Sequence, residues 1–172
     1  RFLKGLSARL RKGLGRNAGA LLFPSVRRPF GRAFRFLVSG GAKLDASVCE
    51  DLLDLGIPVI EGYGLTETSP VLTFNPLRRP RPGTVGKPLP GVAVEIHEPG
   101  EEGIGEIVAS GPNVMQGYEE KPEETAKVLY GGWFHTGDLG FFDKDGYLHI
   151  TGRAKEVIVL SSGKNIYPDE VE

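Results

Sequence analysis

The stretch Glu61-Gly62-Tyr63-Gly64-Leu65-Thr66-Glu67-Thr68 follows the short β-type run Ile57-Pro58-Val59-Ile60 and gathers glycines, an aromatic ring, hydroxyls and a carboxylate into one turn. Gly62 and Gly64 lack a Cβ, so the backbone there is free to adopt strained dihedrals and a ligand can approach it closely. Tyr63 offers a ring face to a planar base. Thr66 offers a hydroxyl to a phosphate oxygen, and Glu67 is a hard oxygen ligand of the kind that holds magnesium on phosphates. A Gly-x-Gly after a strand also serves as a plain tight turn. Alone, the stretch leaves both readings open.

Upstream, Phe36-Leu37-Val38 reads as a buried strand leading into Ser39-Gly40-Gly41-Ala42, and Asp45 is placed to cap a helix through Val48, Leu52 and Leu53 that ends at Gly56. Strand, glycine turn, helix, strand and glycine turn is the grammar of an open α/β sheet with its ligand crevice at the strand ends. Past Pro70 this rhythm stops. The stretch from Pro76 to Pro90 holds five prolines among Arg78, Arg79 and Arg81 and predicts an extended surface loop. Short strands follow at Val92-Val94-Ile96 and Gly105-Glu106-Ile107-Val108, and Pro122-Glu123-Glu124-Thr125 opens a short helix. This part reads as a β-rich subdomain. Asp143-Lys144-Asp145-Gly146 signals a hairpin that would set Asp138 and Arg153 on neighbouring strands at its base. There they would either share one ligand, Asp138 accepting from ribose hydroxyls and Arg153 adding a donor, or form a cross-strand ion pair. His135, beside Trp133 and Phe134, reads as structural, and His97 and His149 show no metal-type spacing.

Four segments in one order carry a resemblance: Ser39-Gly40-Gly41-Ala42; the central stretch; Trp133-Phe134-His135-Thr136-Gly137-Asp138; and Gly152-Arg153-Ala154-Lys155-Glu156 running into Ser162-Gly163-Lys164-Asn165-Ile166-Tyr167-Pro168. Together they resemble the adenylate-forming (AMP-binding) superfamily of acyl-CoA synthetases, luciferases and peptide-synthetase adenylation domains. The last segment and the basic lead-in look most like long-chain fatty acyl-CoA synthetases. The resemblance implies part of that enzyme fold, α/β with a distorted-barrel β-rich subdomain. It implies a basic lead-in at 1–33, α/β residues at 34–75, β-rich residues at 76–153, and a hinge with the start of a small domain at 154–172.

The same resemblance implies site roles. Gly40, Gly41, Ala42, Glu61, Gly62, Tyr63, Gly64, Thr66, Asp138 and Arg153 would bind nucleotide, with Thr66 and Glu67 catalytic and Glu67 the metal ligand. Lys155 would be the hinge, and Ser162 and Gly163 would meet CoA. The implied reaction joins a fatty acid to CoA through an acyl-adenylate, with ATP and Mg2+. Medium-chain or aryl acids are the alternative substrates, and a non-catalytic nucleotide-binding or membrane-associating module is the alternative of another class. The family's phosphate loop and its C-terminal lysine have no counterpart here, and the chain opens on Arg1 and stops at Val171-Glu172. We therefore expect a piece of a longer enzyme that alone adenylates poorly or not at all.

At 172 residues with net charge −1 and 40% hydrophobic residues, the composition is that of a globular domain. The single Cys49 excludes an internal disulfide, which with the lack of a visible signal peptide or membrane-length apolar run predicts a cytoplasmic setting. Charge is uneven. Residues 1 to 44 carry eleven of the 21 Lys and Arg and no acid. Leu3, Leu6, Leu10 and Leu14 recur there at helical spacing, predicting an amphipathic basic helix that packs its leucines on the protein body or lies on an anionic membrane surface. We expect no nucleic-acid partner. Faces normally met by an upstream half would favour homo-oligomers.

Overall fold

The computed structural model describes residues 2–14, 18–100, 102–156, 158–159 and 165–166. The chain divides into two compact units: Arg1–Glu61 with Asn75–Gly83, and Gly62–Phe74 with Thr84–Glu172.

The first unit begins with helix α1 (Phe2–Leu14) and the short helices α2 (Gly19–Leu22) and α3 (Pro24–Arg27), then strand β1 (Leu37–Ser39), helix α4 (Ala46–Asp54) and the first half of β2 (Val59–Tyr63). Asp45 caps α4, its carboxylate accepting from the Ser47 N–H at 2.7 Å and the Val48 N–H at 3.3 Å. Gly56, at φ 86°, lies just past the helix end. Beyond this crossover β2 pairs parallel to β1, Leu37 opposite Val59 and Ser39 opposite Glu61. Cys49, Leu53, Ile57 and Val59 form the buried core, packed by Val26, Phe34, Leu37, Leu44 and Leu52.

Three expectations change here. The second strand starts at Val59, not Ile57, because Pro58 has no N–H and the Ile57 N–H is spent on the Leu52 carbonyl. It runs on to Tyr63, so Glu61-Gly62-Tyr63 is strand rather than turn. Phe36 and Val38 are exposed, Val38 at 60%, because they alternate with Leu37, which takes the side packed on the core. The helix α1 does not pack Leu3 and Leu6 on the protein body, the first of its two expected arrangements. Lys4 pairs with Asp51, Arg11 Nε donates to Asp54 at 2.8 Å, and Ser7 between them is fully buried, whereas Leu3 and Leu6 are exposed. Lys4, Ser7 and Arg11 form a stripe of their own at helical spacing, and the acids of α4 select it.

The second unit is β-rich. The end of β2 pairs antiparallel with β3 (Thr73–Phe74), which pairs with β4 (Lys87–Pro88). A five-stranded antiparallel sheet holds β5 (Ala93–His97), β6 (Gly105–Ser110), β7 (Leu129–Tyr130), β8 (Trp133–Phe142) and β9 (Leu148–Arg153) in the order β5-β6-β8-β7, with β9 also on β8. Register shifts between Glu106 and Val108 and between Leu139 and Gly140 mark irregularities of the kind that curl a sheet. Helix α5 (Pro122–Val128) starts on its proline. Leu72, Val94, Ile107, Ala109 and Leu148 form the core, with Tyr63 packed against it. The proline-rich stretch is not all surface loop. Thr84 is buried, the Val85 N–H donates to Leu148 O, and the Leu148 N–H donates to Gly86 O. Two further short strands, β10 (Ile158–Val159) and β11 (Asn165–Ile166), pair antiparallel.

Candidate active site

The turn Asp143–Gly146 decides the register of the site in the second unit. Asp143 accepts from the backbone N–H groups of Asp145 at 2.9 Å and Tyr147 at 3.0 Å, and Gly146 sits at φ 77°, a conformation that glycine adopts without cost. Strands β8 and β9 then run back from it, so that Asp138 stands directly opposite Arg153. Arg153 Nε donates to Asp138 Oδ1 at 2.6 Å, and the Tyr63 hydroxyl donates to Asp138 Oδ2 at 2.6 Å. One carboxylate thus joins three strands, β2, β8 and β9. Asp138 is 7% exposed. Burial, and after it the Asp138 charge, push the Tyr63 phenol well above its ordinary range, so it stays a donor.

The segment Thr136-Gly137-Asp138 is pinned from below. Thr136 Oγ1 donates to Ile107 O at 2.7 Å and accepts from the Asp138 N–H at 3.1 Å. Glu106 grips its other side, Oε1 accepting from the Gly137 N–H at 2.9 Å and Oε2 lying 2.8 Å from His135 Nδ1. His135 is buried and stacked on Tyr130 with ring centroids 3.7 Å apart, a structural histidine. Sequence reasoning missed Glu106. Its signal was an acid inside the otherwise apolar run Gly105–Ala109.

After Tyr63 the central stretch leaves the strand and folds into a 3-10 turn at Thr66–Thr68. The buried Thr68 hydroxyl closes it, accepting from the Leu65 N–H and donating to the Leu65 carbonyl, both at 2.9 Å. Thr66 is exposed and Glu67 half-buried. The two glycines owe their place to the chain's own packing: a Cβ on Gly62 would come within 2.8 Å of the Phe74 ring, and one on Gly64 would strike the Pro70 carbonyl. Glu67 Oε1 accepts from the Tyr118 hydroxyl at 2.9 Å. No cluster of three His, Cys, Asp or Glu capable of holding a metal exists among the described residues. A half-exposed single carboxylate nonetheless fits magnesium, which keeps several waters and takes one or two carboxylates together with phosphates.

In the first unit, Gly40, Gly41 and Ala42 form an exposed bend after β1. Glu61 is 7% exposed, with its carboxylate accepting from the Cys49 thiol and the Gly83 N–H. Burial pushes the Glu61 carboxyl above its ordinary value, and burial together with the Glu61 charge pushes the Cys49 thiol up to about 12. Lys155 is exposed in a short 3-10 turn, Ala154–Glu156. Ser162 and Gly163 lie outside the described residues.

Residues 9–119, more than half of the chain, match the family model described as AMP-binding enzyme. The chain is 45% identical over 149 residues to a feruloyl-CoA synthase of Amycolatopsis, covering 81% of this chain and 30% of that protein. It is 40% identical over 162 residues to a long-chain-fatty-acid–CoA ligase of Bacillus subtilis, covering 90% and 29%. Among solved structures, ATP-bound MatB from Rhodopseudomonas palustris aligns with a TM-score of 0.72 at 42% identity, over 80% of this chain and 29% of that one. The chain thus spans less than a third of the length of these relatives. A curled antiparallel sheet carrying the Tyr63, Asp138 and Arg153 constellation, the family match and the shared fold lead to one conclusion: the chain belongs to the AMP-binding enzyme family, whose members include acyl- and aryl-CoA ligases.

Proposed function

We propose that this chain provides the adenosine-holding part of an acid:CoA ligase that activates a long-chain fatty acid with ATP and passes the acyl group to CoA. The observation that carries the reading is Asp138, with one carboxylate oxygen toward the Tyr63 hydroxyl and the other toward Arg153. A carboxylate so oriented accepts from both hydroxyls of a ribose, and Arg153 adds a donor to ribose or phosphate. Tyr63 presents its ring to the adenine, with the Gly62 and Gly64 backbone beside it. Thr66 offers its hydroxyl to phosphate oxygens, and Glu67 holds the magnesium ion. Magnesium, when bound, neutralises phosphate charge as it builds. Glu61 enters through its backbone, its carbonyl accepting from the Asn75 N–H at 2.8 Å. The parts of Gly40, Gly41, Ala42, the Lys155 hinge, Ser162 and Gly163 rest on the resemblance alone.

In the first half-reaction a substrate carboxylate oxygen bonds to the α-phosphorus, the bond to the bridging oxygen breaks, and pyrophosphate leaves. In the second, the CoA thiol attacks the acyl carbonyl and AMP departs with the bonding pair. The residues of this chain serve these steps by positioning and charge. The long-chain assignment draws on the Ser162–Pro168 stretch and on α1, whose Phe2, Leu3 and Leu6 are 84%, 45% and 38% exposed. Such a face, with Arg9 beside it, suits contact with an anionic membrane where fatty acids partition. An aryl acid is the second reading, favoured by the feruloyl-CoA synthase relative.

Calorimetric titration with non-hydrolysable acyl-adenylate analogues, one long-chain and one aryl, tests both levels. Binding that disappears in Asp138→Ala supports the site, and the tighter of the two analogues decides the acid. Binding that survives Asp138→Ala sinks the site. Sedimentation with anionic vesicles, compared with Leu3→Ser/Leu6→Ser, tests the membrane face; equal sedimentation removes it.

A further inference from the structure

Residues 113–118 wrap the Thr66–Thr68 turn. The Asn113 side-chain amide donates to the carbonyls of Thr68 and Val71, both at 2.9 Å, and the Met115 N–H donates to the Glu67 carbonyl at 2.8 Å. These bonds fix the backbone of the turn. They leave the Glu67 side chain, with its three rotatable bonds, unspecified. Among the described residues only the Tyr118 hydroxyl reaches its carboxylate, donating to Oε1 at 2.9 Å, and none donates to Oε2.

Tyr118 is itself anchored. Its N–H donates to Thr125 Oγ1 at 2.9 Å, and that hydroxyl donates at 2.9 Å to the carbonyl of Lys121, the residue that precedes α5. A side chain on Gly117 would press on Thr125 at 2.9 Å, so the approach between the loop and the helix is close. We propose that Tyr118 is a positioning residue for the divalent cation, its hydroxyl holding Glu67 by Oε1 so that Oε2 is the oxygen offered to the metal. This inference rests on Glu67 as the metal ligand. Ligating carboxylates are themselves held by outer hydrogen bonds, and losing one such partner weakens metal binding.

The test is calorimetric titration of ATP into the chain across a series of MgCl2 concentrations, for the unmodified protein, Tyr118→Phe, Glu67→Gln and the double variant. Circular dichroism and melting temperature check that each variant folds. The expected result is a Mg2+ midpoint raised about tenfold in Tyr118→Phe, with ATP affinity in chelator unchanged and no further shift when Tyr118→Phe is added to Glu67→Gln. A purely structural tyrosine would lower the melting temperature and leave the midpoint in place. A midpoint that moves in Glu67→Gln but not in Tyr118→Phe overturns the role of Tyr118 alone. A midpoint unmoved by Glu67→Gln, or ATP binding that shows no Mg2+ dependence in the unmodified protein, overturns the metal role of Glu67 and this inference with it.

Discussion

Tyr63 lies at a boundary between two environments, its ring packed against the apolar cluster of Leu72, Ile107 and Leu148 and its hydroxyl on Asp138. Substituting phenylalanine keeps the packing and removes a donor from a buried carboxylate, at a cost of about 2 kcal/mol. We expect Tyr63→Phe to melt earlier than the unmodified chain, yet to gain more thermal stabilisation from an AMP analogue, because ribose hydroxyls replace the missing donor. A smaller gain than in the unmodified chain would show that ribose does not take that oxygen. At Cys49 the prediction concerns reactivity. The thiolate is the nucleophile, and with the thiol pushed up to about 12 and 1% exposed, little thiolate forms. Iodoacetamide at about pH 8 should modify Cys49 readily in urea and at least about a hundredfold more slowly in the folded chain. Similar rates in both would mean that the Cys49–Glu61 contact is not kept in solution. The sequence showed Cys49 as a single thiol. It could not show Glu61 turned onto it, because that carboxylate sits in a stretch whose residue types suggest a ligand.

The hairpin β8–β9 was legible as an element because an Asp-Gly turn between alternating apolar runs fixes register locally, and register alone puts Asp138 across from Arg153. The cap on α4 was legible for the same reason, a side chain acting on its own next turn. What the sequence hid was contact between distant segments. Tyr118 and Glu67 are 51 residues apart, and Asn113 and Thr68 are 45 apart. No local pattern encodes such pairs. The orientation of α1 was hidden differently, since its sequence carries two stripes at helical spacing and only the partner helix, with Asp51 and Asp54, chooses between them. The element that holds the Thr66–Thr68 turn is therefore the loop around Asn113, whose amide gives two bonds to carbonyls. Asn113→Ala should cost about 2 kcal/mol in urea unfolding, whereas Asn113→Asp, which cannot donate to those carbonyls, should cost at least as much. A neutral alanine variant would show that the turn stands without its wrap.

Across the whole molecule, the shifted groups predict how stability depends on pH. Glu61, Cys49, Tyr63 and Tyr118 all have folded values raised above their ordinary 4.5, 9.0, 10.0 and 10.0. Each keeps a proton in the folded chain that the unfolded chain releases. Its contribution is therefore complete below the ordinary value and is lost as pH rises from that value through the folded one. Asp45 and Glu124 are lowered, by hydrogen bonds from Ser47 and from Lys127, so their contributions hold above 3.8 and 4.5 and are lost as pH falls. These two and Tyr118 are exposed groups, and their weight is small. The signs combine to a stability that falls as pH rises above 4.5, where Glu61 begins to lose its contribution, and falls more steeply above about pH 9, where Cys49 and then Tyr63 add. Urea midpoints at about pH 5, 7, 9 and 10.5 measure this profile. Glu61→Gln should flatten the fall that begins above 4.5, and Cys49→Ala the onset above about pH 9, because each removes one proton from the difference between folded and unfolded chains. If the alkaline fall keeps its slope in Cys49→Ala, the thiol is not held neutral against Glu61, and the loss of stability there belongs to Tyr63, the buried phenol that holds Asp138.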